Sequence, residues 1–489
     1  MISIEHIERR EMDYLEFIQT KKPTFNASGF EVSPEWLNVN LFPYQAEILK
    51  RACKKGKYAL FVDTGLGKSL ILLNWAQAVA KHTKKPVLVI APLAVSFQLE
   101  REANKFKIPL TKMLGYEGEK MPTQEGVYLI SYAKAMRYIQ ADCFAGVAID
   151  ESSILKSFEG ATTKGLIEKF AKTPFKLASS ATPSPNDFME LGNHAEFLNV
   201  CTRTEMLSRY FINDTFNTGE WRLKNHAKRE FWQWVSSWAE CVNTPSDLGY
   251  DASAHILPPL REHIVKIEFD DYTYQADGAL FGFSEQNATK IAKNKKLTID
   301  LRIAKATEII DSIQKGTIEK RPILIWVDTN AESEKITKTL QQKYPLKRIR
   351  QVIGSDDDSL KALNLNHFAD GLMDILVTKS SIAGMGMNFQ RACHMIFLGV
   401  NYSYERYYQA IRRMWRFGQK NEVNVYVILA TNEASVWEVV QGKKAQHEQM
   451  KQAMTQSVCA FKNESTPFNL QIKEVNIPNF LRSEYASIS

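Results

Sequence analysis

The segment Asp63-Thr64-Gly65-Leu66-Gly67-Lys68-Ser69 constrains this chain more than any other. It follows the apolar run Tyr58–Val62 and leads straight into the apolar stretch Leu70–Ala80. Strand, glycine-rich turn, Lys-Ser pair and helix, in that order, form the arrangement in which backbone N–H groups cradle phosphates. Gly65 and Gly67 let the backbone approach the phosphates, and the helix N-terminus adds its partial positive charge. Lys68 can reach the β- and γ-phosphates, and the Ser69 hydroxyl suits Mg2+. Position 62 is Val, so the loop is a shortened form of G-x-x-x-x-G-K-S. On these residues alone, a glycine turn with an incidental lysine stays open.

Short β-branched runs alternate with helical patterns along the chain, which predicts α/β layering around parallel sheets. The first series of expected strands is Tyr58–Val62, Val87–Ala91, Val127–Tyr132, Gly146–Ile149 and Lys176–Ser179. The second is Ile323–Val327, Arg350–Ile353, Asp374–Thr378, His394–Leu398 and Val423–Leu429. Two series of similar size imply two lobes. The expected division is an N-terminal extension 1–35, lobe one over 36–200, a helical aromatic-rich insertion 201–256, lobe two over 257–432, and a helical extension and tail 433–489. In the insertion, Phe231, Trp234, Val235 and Trp238 share one helical face. Two readings stand for it: packing on a lobe, or a tryptophan offered to a nucleic-acid base.

With 489 residues, 44% hydrophobic and 24% charged, disordered and collagen-like chains are excluded. The formal charge of +7 permits an anionic partner without demanding one. The six cysteines are scattered with no C-x-x-C pair, which reads as reduced thiols and argues against a zinc knuckle. The N-terminus has no signal-peptide pattern, and no apolar run approaches a membrane span. The expectation is a soluble cytoplasmic monomer with no membrane partner.

Val147-Ala148-Ile149-Asp150-Glu151 sets two adjacent carboxylates at the end of an apolar strand. Such a pair is costly without compensation, and a metal ion supplies it. Asp150 is the candidate for Mg2+, and Glu151 for polarising an attacking water. The bland alternative is a solvated pair at a strand end. Ser180-Ala181-Thr182-Pro183 ends another buried strand, as a hydroxyl relay or a plain ST turn before proline. Between Asn401 and Asn421 five basic residues face one acidic, Glu405. Arg413 and Arg416 stand at i, i+3, so both can point to one side of a helix. An arginine at a γ-phosphate stabilises transition-state charge; without a phosphate loop the segment would read as a solvated basic helix. Ile336–Arg350 holds Lys338, Lys343, Lys347, Arg348 and Arg350 with no acid, and Lys290, Lys293, Lys295 and Lys296 form a second cluster. Either cluster suits phosphates or is simply a solvated face.

Taken in order, these blocks resemble the superfamily-two helicases and translocases, and most closely the SWI/SNF-type ATPases in the compact form found in phages and bacteria. Leu41-Phe42-Pro43-Tyr44-Gln45 resembles their adenine-reading glutamine motif, and Asp63–Ser69 their motif I. Ala91-Pro92-Leu93 resembles motif Ia, Ile149–Ser153 motif II, and Ser179–Pro183 motif III. Leu257–Phe269 is similar to the family's approach to lobe two, and Thr378–Gln390 to motif V. Gln409–Gln419 matches motif VI, with Arg413 and Arg416 at its two arginine positions. Some positions depart. Motif II reads DESS, motif III reads SAT as in DEAD-box RNA helicases, Arg412 replaces a usual glycine and Trp415 a usual histidine.

The resemblance implies two RecA-like lobes with ATP and Mg2+ in the cleft between them. Gln45, Gly65, Leu66, Gly67, Lys68 and Ser69 would bind ATP, with Ser69 and Asp150 on the metal. Lys68, Asp150, Glu151, Arg413 and Arg416 would be catalytic. Ser180, Thr182, Gly384 and Gln409 would couple the site to nucleic acid. The implied function is an ATP-dependent translocase or helicase on duplex or branched DNA. An RNA-dependent ATPase and an ATP-gated clamp with little turnover are the alternatives.

Overall fold

The computed structural model describes residues 27–184, 187–213, 221–268, 295–316, 321–383 and 387–463. Lobe one carries β1 (Lys57–Val62), β2 (Pro86–Ala91), β3 (Leu110–Lys112), β4 (Gly126–Ser131), β5 (Gly146–Asp150) and β6 (Phe175–Ser180). A small hairpin of β7 (Phe211–Asn213) and β8 (Trp221–Leu223) follows, and then β9 (Ala239–Val242). The sheet order is β3-β4-β2-β5-β6-β1-β9, and every pairing is parallel. Lobe two carries β10 (Leu260–Ile267), β11 (Ile323–Val327), β12 (Ile349–Val352), β13 (Ile375–Lys379), β14 (His394–Phe397) and β15 (Val423–Ala430). Its order is β10-β15-β14-β11-β13-β12, again parallel throughout.

All ten expected strands form, each with ends within one residue of expectation. The reason is burial on both faces. A parallel sheet covered by helices needs continuous apolar strands, not alternating ones. Every residue of β2 and β11 is buried. The faces of each sheet pack into separate apolar clusters. Among the described residues no helix is long and apolar enough to cross a membrane.

One expectation needs correction. Residues 201–256 are not a body apart from lobe one. Strand β9 pairs with β1, from Ala59↔Ala239 to Val62↔Val242, as the seventh strand of that sheet. Its buried Glu240 accepts from the Tyr58 hydroxyl at 3.2 Å and from Arg51 at 3.4 Å. The helix Lys228–Trp238 buries Phe231, Trp232, Trp234, Val235 and Trp238 in the core of lobe one, so packing accounts for these aromatics rather than base stacking. Leu260–Ile267, at the start of the expected lobe two, forms β10, paired along its length with β15. The expected C-terminal helix forms over Ala434–Asn463 and packs on both lobes. Its Val436 and Val440 lie in the core of lobe two, while Met454 and Val458 lie in the core of lobe one.

The lobes also meet through side chains. Arg101 donates to Asn366 at 2.7 Å and pairs with Asp370 at 3.0 Å, and Lys156 pairs with Glu405. Both lysine clusters prove partly neutralised by acids distant in sequence. Lys343 pairs with Asp311, Arg348 with Asp374 and Lys295 with Asp328. Lys290 and Lys293 lie outside the described residues.

Candidate nucleotide site between the lobes

Strand β1 delivers the chain into the loop Asp63–Gly67, and the helix Lys68–Thr83 starts directly after it. The loop needs its glycines. Gly65 and Gly67 have φ of 92° and 77°, in the left-handed region that favours glycine. A Cβ on Gly65 would stand 2.8 Å from the Phe417 nitrogen of lobe two, and one on Gly67 2.2 Å from Gln45 Nε2. Glycine is therefore what lets motif VI and the glutamine motif close on the loop.

Gln45 is buried beneath that loop. Its Nε2 donates to the Leu66 carbonyl at 2.9 Å, and its Oε1 accepts the Phe42 N–H at 2.9 Å. One end of the amide thus braces the loop, and the other caps the helix Pro43–Lys55. Lys68 Nζ donates to the carbonyls of Val62 at 2.8 Å and Asp63 at 3.2 Å. Burial pulls its ammonium down from the usual lysine range, against the attraction of Glu151, Asp63 and Asp150.

Asp150 ends β5 and is buried. Burial and the neighbouring Glu151 charge push its carboxyl up, and Lys68 pulls it down. The Tyr132 hydroxyl donates to the Asp150 carbonyl at 2.7 Å, a support that no motif announced. Glu151 has φ 54° and ψ 53°, an uncommon conformation for a non-glycine residue and one often held at functional sites. It lines a cleft between the lobes of about 1140 Å3 together with Gln409, Ser380 and Asp328 of lobe two, while the phosphate loop, Asp150, Arg413 and Arg416 lie outside that lining.

The first serine of motif II, Ser152, has a structural role. Ser152 Oγ lies 3.1 Å from Nε2 of the buried His194, whose Nδ1 faces the Glu190 carbonyl at 3.4 Å. A carbonyl only accepts, so the neutral ring donates from Nδ1 and Ser152 donates to Nε2. Burial holds His194 down to about 4, and burial likewise holds His447 down to about 4. Unfolded histidines titrate near the ordinary value, roughly 6.5. The stabilising neutral form is therefore fully favoured above that value and is lost as pH falls towards 4. Urea midpoints measured between about pH 7.5 and 4.5 are expected to fall on acidification. The fall should be shallower in His194→Gln. Equal slopes in the two proteins would remove His194 from this account.

Ser180 Oγ accepts the Thr182 N–H at 3.0 Å, the ST turn anticipated as the plainer reading. Both residues are buried at the end of β6. Gly384 lies outside the described residues.

Lobe two brings its arginines on the turn that ends the helix Tyr404–Ile411. Arg413 is buried and donates from Nε to the Gln409 carbonyl at 2.9 Å. Burial lowers its guanidinium to about 10, with Glu151 pulling the other way and Arg416 adding to the fall. Arg416 donates to the Met387 carbonyl at 3.4 Å, and burial lowers it too, opposed by Glu102 and Glu151. Lys68, Asp150, Glu151, Arg413 and Arg416 thus feel one another's charge across the lobes. The other departures in motif VI also have partners. Trp415 Nε1 donates to the Pro258 carbonyl at 2.7 Å, and Arg412 reaches Asp63 and Thr64 of the phosphate loop.

The donor set fits a hard divalent cation. Asp150 is a buried carboxylate made costly by its neighbour, and Ser69 opens the helix after the loop. Among the described residues no three His, Cys, Asp or Glu side chains gather into a metal cage. Mg2+ usually takes one or two carboxylates and completes its shell with phosphate oxygens and water.

Two family models match this chain. "Helicase conserved C-terminal domain" covers residues 304–418, and "Type III restriction enzyme, res subunit" covers 38–185. Together they span just over half of the sequence. No curated protein matches it. Among solved structures, the chain is similar to the Sulfolobus solfataricus SWI2/SNF2 ATPase core in complex with dsDNA. The identity is 20%, the coverage 89% of this chain and 98% of that one, and the TM-score 0.41.

Proposed function

We propose that this chain, which belongs to the superfamily-two helicases and translocases and is a nucleic-acid-dependent ATPase, moves along duplex or branched DNA at the expense of ATP. Within the superfamily we group it with the SWI/SNF-type motors, on the ordered motifs from Leu41 to Gln419. The observation that carries the reading is the convergence of Lys68, Asp150 and Glu151 with Arg413 and Arg416 from the other lobe. Such a site is whole only when the lobes are together. Nucleic acid bound across both lobes favours that state and so favours hydrolysis.

In this reading the loop amides and Lys68 hold the phosphates, and Ser69 and Asp150 hold Mg2+. When bound there, Mg2+ would supply positive charge to the phosphates. Glu151 orients the attacking water from its fixed backbone turn and accepts its proton. Arg413 and Arg416 balance charge on the departing phosphoryl oxygens. Ser180 and Thr182 follow Ser179, the partner of Asp150 across β5 and β6, and would pass a shift of motif II onward.

Steady-state hydrolysis measured alone and with duplex, single-stranded DNA, a branched junction and RNA tests the proposal. Duplex or branched DNA is expected to stimulate turnover strongly, and Lys68→Ala to reduce it to background. Stimulation by RNA alone would transfer the assignment to the RNA-dependent reading. Nucleotide-dependent DNA affinity with turnover no higher than the Lys68→Ala control would leave a clamp.

A further inference from the structure

Asp63, the first residue of the phosphate loop, is gripped from outside its own lobe. Its Oδ2 accepts from Arg412 at 3.2 Å and pairs with Lys451 Nζ at 2.8 Å. Its Oδ1 accepts from the Tyr408 hydroxyl at 3.3 Å and from the Thr64 N–H at 2.6 Å. Arg412 also donates to the Thr64 carbonyl at 2.8 Å. The cluster is well shielded, with side-chain exposures of 13% for Asp63, 6% for Arg412 and 17% for Lys451. Against the raising effect of burial, Arg412 and Lys451 hold the Asp63 carboxyl well below its ordinary range.

These partners come from two directions. Tyr408 and Arg412 flank the end of the helix Tyr404–Ile411, beside Arg413. Lys451 lies on the helix Ala434–Asn463, between its anchorage in lobe two at Val440 and its anchorage in lobe one at Met454. His447, one turn before Lys451, packs on the rings of Tyr404 and Tyr408 at 5.5 and 5.4 Å. The strap, the arginine turn and the first two residues of the phosphate loop therefore meet at one carboxylate.

We propose that Asp63, Arg412, Tyr408 and Lys451 form a latch through which lobe closure shapes the phosphate loop, with the C-terminal helix as its strap. They are positioning residues; none is required to touch ATP. When the lobes part, Asp63 loses the Arg412 and Tyr408 contacts and Thr64 loses its donor. The loop then holds its ATP-binding shape less well. Because linkage is reciprocal, ATP held in the loop favours closure by the same factor. The latch rests on the ATPase reading above, and it explains why arginine stands at 412 where a glycine is usual.

The test uses the full chain and three substitutions. Lys451→Met keeps the aliphatic stem and removes the charge, Tyr408→Phe removes only the hydroxyl, and Lys451→Arg restores the charge. The readouts are KM and kcat for ATP, with and without duplex DNA, and hydrogen exchange of the amides at 64–67. Lys451→Met is expected to raise KM about tenfold, within the usual range of coupling between sites. It should also speed exchange in the loop and leave kcat at saturating ATP nearly unchanged. Tyr408→Phe should shift both readouts in the same direction by less, and Lys451→Arg should return them towards wild type. Unchanged KM and unchanged loop exchange in both Lys451→Met and Tyr408→Phe would overturn the latch. So would a loss confined to kcat. If the wild-type chain hydrolyses no ATP, the proposed function fails, and loop exchange still decides the latch.

Discussion

Arg413→Ala is expected to lower kcat for ATP hydrolysis by about 10³–10⁵, the usual value of an arginine offered to a transferring phosphoryl group. The cost should fall on kcat more than on ATP binding. Arg413 is buried, and its guanidinium is held near the site by its own bond to the Gln409 carbonyl. It therefore stands ready for charge that develops only during transfer, and a group of that kind lowers the barrier without tightening the ground state. Arg413→Lys should not rescue, because an ammonium lacks the planar fork. Single-turnover hydrolysis alongside binding of a fluorescent ATP analogue checks this. A loss of less than about tenfold, or a loss carried by binding alone, would remove Arg413 from catalysis.

Glu151→Gln is expected to lower turnover by about 10²–10⁴, the usual contribution of a positioned general base, while ATP affinity is kept or improved. The second half follows from electrostatics. Glu151 is one of the causes that push the Asp150 carboxyl up. An amide at 151 removes that repulsion, so Asp150 ionises more readily and serves the cation better. Asp150→Asn should instead weaken nucleotide binding and turnover together. Titrating ATP·Mg2+ into the two variants separates them. Equal loss of affinity in both would show that the carboxylates act as one metal site, without the division of labour proposed here.

Much of this architecture was legible because parallel strands covered on both faces must be continuously apolar. Val87–Ala91 and Ile323–Val327 announce themselves for that reason. Strand β9 did not. Its four residues are Ala-Glu-Cys-Val, with a buried charge in the second place. Glu240 is tolerable there because Tyr58 and Arg51, far earlier in the chain, supply its partners. Nothing local to 239–242 carries that information, so the segment read as belonging to an insertion. The C-terminal helix was similarly opaque. Its pattern showed a helix, but not that one end would join each core.

The sequence by itself determined the local chemistry of the site. The strand, glycine turn and Lys-Ser pair need only neighbouring residues to cradle a phosphate, and two carboxylates at a strand end need compensation wherever they stand. In sequence, Arg412, Trp415 and the serines of motif II are departures from a pattern. Only the tertiary structure decided that Arg412 completes a grip on Asp63, that Trp415 fastens motif VI to Pro258, and that Ser152 meets His194. The physical reason is the range of the forces involved. Turn geometry and apolar patterning act over a few residues, whereas the worth of a charge depends on which opposite charge packing brings within about 4 Å of it.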